Sequence, residues 1–146
     1  VVALGRGGVN IAEADALAHV FGYAAGLDMT RRDLQGLAKK AGRPWDMGKG
    51  FDHSAPIGEI TPVAATGHPA SGLIELRVNG VLRQSSDIAK MIWNIPETIA
   101  YLSRLVELKA GDLIMTGTPE GVAACARGDA LEGHIAGVGA VDTRLT

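Results

Sequence analysis

Apolar and polar positions alternate along this chain in short runs, which predict small strands separated by glycine-rich turns, with few helices. Residues 1–4 read as a strand that turns at Gly5-Arg6-Gly7-Gly8, and the alanine-rich stretch 11–18, with acids at its start, reads as a short helix. Residues 20–27 are mostly apolar and include Val20, Phe21 and Tyr23, which predicts a buried strand with Asp28 at its end. Thr30 is then the expected N-cap of a helix, with Asp33 as a weaker capping-box acid. That helix runs to about Lys40 and stops at Gly42 before Pro44. Residues 43–72 hold four of the six prolines and read as loops around brief strands.

The second half carries sharper signals. Runs 73–78 and 81–85 flank Asn79-Gly80, a strong hairpin signature. Asp87 is expected to cap a short helix over 88–92. Pro96 suits the first turn of another, whose Ile95, Ile99, Leu102 and Val106 fall on one face. Gly111-Asp112 turns into a strand over 113–115, and alternating residues over 130–145 predict one or two closing strands. No repeat or linker interrupts the pattern. The fold class expected is α+β, mainly β, with antiparallel or mixed sheet and helices at its margins.

Composition narrows this picture. The 146 residues are enough for one domain with a core, and glycine, at 20 residues, is about twice its usual share. A net charge of −2, with Lys39-Lys40 as the longest basic run, argues against nucleic acid or an anionic membrane as partner. No apolar run approaches the roughly 18 residues of a membrane span. Cys125 is the single cysteine, which excludes an internal disulfide or a multi-cysteine zinc site and fits a reducing, cytoplasmic setting. The first residue is Val1, in what reads as the middle of a strand, so the chain is expected to lack its natural start.

Candidate chemistry concentrates at Asp28-Met29-Thr30-Arg31-Arg32-Asp33-Leu34-Gln35. Two arginines fall in a first helical turn, where the helix dipole disfavours cations, and a nearby anion would offset that cost. Arg32 and Gln35, at i and i+3, share a helix face close to Asp28. Lys49, between Gly48 and Gly50, suits stabilisation of an oxyanion or enolate, and reads equally well as an exposed turn lysine. Thr116-Gly117-Thr118-Pro119 follows an apolar strand and offers donors for a carboxylate, although a threonine-stabilised turn is the better reading of those residues alone. Of the histidines, His19, His68 and His134 read as structural, and His53 stays open because it adjoins the Lys49 loop. Cys125 reads as an ordinary small side chain. Gly5-x-Gly7 is not a dinucleotide fingerprint, because Asn10 stands where glycine is needed.

Five blocks occur in order: GYAAGLDMTRRDLQ, GKGFDHSAPIG, the VNG hairpin with Arg83-Gln84, MIWNIPETIAYLS and GDLIMTGTPEGV. Together they resemble the fumarylacetoacetate hydrolase family over nearly the whole chain. MTRRDLQ with GRPWD and KGFDHSAP is most similar to its fumarylpyruvate hydrolase branch, of aromatic-acid catabolism. The resemblance implies a mixed β-roll and a Mg²⁺ or Mn²⁺ site built from carboxylates. It makes Asp28 a metal ligand, Lys49 the catalytic lysine beside metal and substrate, and Arg32, Gln35 and Thr118 the substrate-binding residues. A homodimer and a small 2-oxo or dioxo acid substrate are also implied. In relatives a Glu-x-Glu metal pair and a histidine–glutamate base lie upstream of the segment that begins here at Val1, so residues 1–146 are expected to form a single catalytic domain incomplete at its N-terminus. Ala123-Ala124-Cys125 departs from the glycine and proline usual there.

The expected reaction is hydrolysis of a carbon–carbon bond in an acylpyruvate, with a pyruvate enolate departing under Lewis-acid stabilisation. Competing readings are a 2-oxo acid decarboxylase, a hydroxy-diene-dioate isomerase, a fragment inert without the upstream ligands, and a carbohydrate- or peptide-binding β module.

Overall fold

Two four-stranded antiparallel sheets organise the chain in a computed structural model that describes residues 1–146. The first sheet places β1 (Val2–Leu4) between β2 (Val20–Tyr23) and β6 (Leu113–Ile114), with β3 (Thr61–Pro62) outside β2. The second runs β5 (Val81–Asp87), β4 (Leu73–Val78), β7 (Ala130–Ile135), β8 (Gly139–Arg144). Of the antiparallel or mixed pairing expected, the antiparallel form occurs at every ladder. Helices α1 (Arg32–Lys40), α2 (Asp46–Lys49), α3 (Val63–Thr66) and α4 (Ile95–Leu105) lie at the margins. The α+β, mainly β class therefore holds. No helix is long and apolar enough to cross a membrane.

Local chemistry accounts for the hairpin. Val78 and Val81 pair across a two-residue turn whose Asn79 and Gly80 both have positive φ, 52° and 75°. Asn79 also binds the next strand: its side-chain oxygen accepts from the Ala130 N–H at 3.0 Å, and its amide donates to Asp129 at 2.8 Å. That bond and the Ala126 N–H, the larger effect, hold the Asp129 carboxyl below its usual range. Asp87 caps as expected, accepting from the Ala89 N–H at 2.8 Å, but the turn it starts is a 3₁₀ helix of three residues, Ile88–Lys90.

Several elements differ from expectation, each for a physical reason. Residues 11–18 form no α-helix. A 3₁₀ helix spans Glu13–His19, whose three-residue period buries Ala16 and His19 together. The strand from Val20 ends at Tyr23, and beyond it only an isolated bridge joins Gly26 to Ile57, because Pro56 accepts from the Leu27 N–H and has none of its own to return. Two one-turn helices, α2 and α3, occupy part of the stretch read as loops and strands. Val106 leaves the helical face: α4 ends at Leu105, Val106 turns extended and outward, and Leu108 is buried instead.

Asn94 starts α4 with a reciprocal capping box. Its side chain accepts from the Glu97 N–H at 2.8 Å, while the Glu97 carboxylate accepts from the Asn94 N–H at 2.7 Å. Ile99, fully buried, then packs with Val2, Leu4, Tyr23 and Ile114 of the first sheet. Ser103 accepts from the Ile11 N–H at 2.9 Å, tying α4 to the loop ahead of the 3₁₀ helix. A second, smaller cluster joins Ala25, Leu27, Val78, Leu131 and Val141. Ile99→Ala is expected to cost about 2–5 kcal/mol. Urea denaturation checks this, and a midpoint unchanged at constant slope would contradict it.

Candidate active site

Leu27 is where the core hands over to the site. The Leu27 N–H donates to the Pro56 carbonyl at 2.9 Å and the Met29 N–H to the Ser54 carbonyl at 2.8 Å. In so extended a segment, alternate side chains face opposite ways. Leu27 is buried, Met29 packs against the second cluster, and Asp28 between them faces solvent.

Thr30 is not the N-cap. Arg31 holds that position, with no side-chain capping bond. The Thr30 hydroxyl instead donates weakly to the Asp28 carbonyl at 3.3 Å and accepts from Lys49 Nζ at 2.9 Å. The two arginines separate: Arg31 lies over the Phe51 ring, 4.3 Å from its centroid, which relieves one of the two charges at the helix start. Arg32, the first helical residue, is exposed and forms no ion pair.

Lys49 ends α2, and α2 is docked on α1 through the residue before it. The Arg31 N–H donates to the Gly48 carbonyl at 2.9 Å. A Cβ at Gly48 would press on the Gln35 backbone at 3.1 Å, so glycine permits the approach. Lys49 Nζ thereby reaches Asp28 Oδ2 at 2.7 Å. The two side chains are 35% and 48% exposed, and a pair so wet contributes only about 0–1 kcal/mol to stability. Stability is thus a weak reason for placing an ammonium, a carboxylate and a hydroxyl within contact.

Of the sequence-selected residues, Asp28 and Lys49 meet directly, and Thr30, read there only as a cap, joins them. Gln35 flanks them through its backbone contact with Gly48, and its side chain has no hydrogen-bond partner within the chain. Thr118 lies on an exposed loop and bonds to Gln84, not to the Asp28–Lys49 pair. Among the histidines, His19 is buried against Arg6, and His68 bonds the Tyr23 hydroxyl at 2.7 Å. Burial pushes that phenol up to about 12. His53 is exposed at φ 60°. Cys125 packs beside the second cluster, in keeping with an ordinary small side chain.

Asp28 Oδ1 accepts no hydrogen bond within the chain, so one hard oxygen is available to a divalent cation. No three His, Cys, Asp or Glu side chains gather as a metal site. These residues fit such a cation as one ligand beside a lysine. The rest of its sphere has to come from substrate, water or protein outside the 146 residues.

The sequence profile described as fumarylacetoacetate (FAA) hydrolase C-terminal matches residues 1–146. The chain is 48% identical over 138 residues to the fumarylpyruvate hydrolase of a Ralstonia species, covering 94% of this chain and 71% of that protein. It is 44% identical over 137 residues to the mitochondrial oxaloacetate tautomerase of Rattus norvegicus, covering 94% of this chain and 62% of that one. Its structure matches the crystal structure of fumarylpyruvate hydrolase from Pseudomonas aeruginosa in complex with Mn²⁺ and pyruvate, with a TM-score of 0.97 at 52% identity. That match covers 99% of this chain and 62% of the other. The chain thus spans 62–71% of the length of these relatives. On profile, sequence and structure alike, it belongs to the fumarylacetoacetate hydrolase family.

Proposed function

We propose that this chain is the catalytic domain of a divalent-metal-dependent hydrolase that adds water across a carbon–carbon bond of an acylpyruvate, turning fumarylpyruvate into fumarate and pyruvate. The observation that carries the reading is Lys49 Nζ, bonded at once to Asp28 Oδ2 and Thr30 Oγ1. An ammonium has three N–H donors. Two are engaged here, and the third is left for a substrate oxygen. Fixed by an acid and a hydroxyl, the charge needs little reorganisation when an oxyanion or enolate develops beside it.

Asp28 would contribute one oxygen to a Mg²⁺ or Mn²⁺ ion. When bound, such an ion supplies Lewis acidity at the 2-oxo-carboxylate end of the substrate. The Mn²⁺ and pyruvate named for the Pseudomonas aeruginosa relative support that choice of metal and anion. Arg32 is free of ion pairs at the start of α1 and suits bidentate binding of a substrate carboxylate, with Gln35 one turn on. Thr118 would donate to a substrate carboxylate from its own exposed loop. With a single carboxylate at the site, we expect residues 1–146 alone to hold metal weakly.

The 44% identity to an oxaloacetate tautomerase favours a second reading, enol–keto conversion of a 2-oxo diacid on the same residues. Product analysis tests the first. With Mn²⁺, the intact protein is expected to release fumarate and pyruvate in equal amounts from fumarylpyruvate. Rapid oxaloacetate tautomerisation without pyruvate release would overturn hydrolysis in favour of the second reading.

A further inference from the structure

We infer that Gln84 is a positioning residue that sets the polarity of the Thr118 hydroxyl, so that its proton points outward to the substrate carboxylate. The inference rests on the reading of Thr118 as a carboxylate donor. Gln84 is the one buried side chain of β5, 8% exposed between exposed Arg83 and Ser85. Its Nε2 lies 2.8 Å from Thr118 Oγ1, 2.7 Å from the Pro119 carbonyl and 3.4 Å from the Glu120 carbonyl.

The orientation of this amide is not ambiguous. Two carbonyl oxygens can only accept, so the group facing them must be the NH₂ end of Gln84 and not its oxygen. Its two hydrogens go to the two short contacts. Thr118 Oγ1 therefore accepts a hydrogen bond from Gln84 and cannot donate its own hydrogen in return. The hydroxyl hydrogen is left for the exposed side of the loop, the polarity an anionic ligand requires. A partner able to donate or accept, such as water, would leave that hydrogen free to point either way.

Beyond the bonds from Gln84, the loop also lies close against β5 at Gly121. Gly121 has φ 97°, and a Cβ there would collide with the Arg83 carbonyl oxygen. Nothing in a strand register connects position 84 to a threonine 34 residues later, so only the tertiary structure pairs Gln84 with Thr118.

The test is pyruvate affinity of the intact Mn²⁺-loaded protein, by calorimetry, together with KM and kcat on fumarylpyruvate. Gln84→Glu presents an acceptor where Nε2 donated and draws the Thr118 hydrogen inward, and it also loses the two carbonyl contacts, a loss that Gln84→Met shares without the reversal. It is expected to weaken pyruvate roughly 10-fold and to raise KM more than it lowers kcat. Thr118→Val should cost about as much, and Gln84→Glu added to Thr118→Val should cost nothing further. Gln84→Met, which frees the hydroxyl without reversing it, should weaken pyruvate only a few-fold and serves if the glutamate variant does not fold. If Thr118→Val binds pyruvate normally, the carboxylate reading of Thr118 fails and the inference falls with it. A loss with Thr118→Val but none with either Gln84 variant overturns the polarity role alone, as do additive losses in the double variant.

Discussion

Asp28→Ala is expected to abolish turnover in the intact protein, with at least a ~10³-fold fall in kcat/KM, and to weaken Mn²⁺ binding by about 100-fold or more. Loss of outer-shell partners alone typically costs 10–100-fold in metal affinity, and a direct ligand should cost more. The effect should be chemical and not structural. Asp28 is half exposed, its ion pair is worth only about 0–1 kcal/mol, and the segment bearing it is held by the Leu27 and Met29 backbone bonds, which alanine keeps. The thermal midpoint should therefore stay within a few degrees of the wild type. Mn²⁺ titration followed by electron paramagnetic resonance measures the affinity directly. A variant that binds Mn²⁺ and turns over normally would remove Asp28 from the site.

Lys49→Met is expected to lower kcat about 10²–10³-fold with a smaller change in KM, the pattern of an interaction made mainly in the transition state. Its effect on the metal should have the opposite sign to that of Asp28→Ala. Removing a positive charge 2.7 Å from Asp28 Oδ2 relieves repulsion of the cation and frees that oxygen, so Mn²⁺ should bind at least as tightly. A lysine that merely braced the loop would predict loss of both. Steady-state kinetics and the same titration separate these outcomes, and an unchanged kcat would end the assignment.

The elements legible in the residues are those with a local cause. Asn79-Gly80 satisfies two consecutive positive φ values, and the β4–β5 hairpin follows. Asp87 caps through the Ala89 N–H two residues on. Misplaced elements are those where a non-local partner decided. Thr30 has the chemistry of a cap, and Lys49 took its hydroxyl instead. The 24–27 segment has strand composition, but its neighbour contains Pro56 and cannot complete a ladder. Val106 fits the helical face of α4, and the chain turns before it so that Leu108 can be buried.

By itself the sequence determined the Asn79-Gly80 turn, the Asp87 cap and the residue types available for chemistry, because each depends on neighbours within about four positions. Tertiary structure alone decided which of those residues meet. Asp28 and Lys49 are 21 positions apart, and Gln84 and Thr118 are 34 apart. No period of 2 or 3.6 encodes such separations. They are set by the packing of α2 on α1 through Gly48, and by the lie of the Thr118 loop along β5.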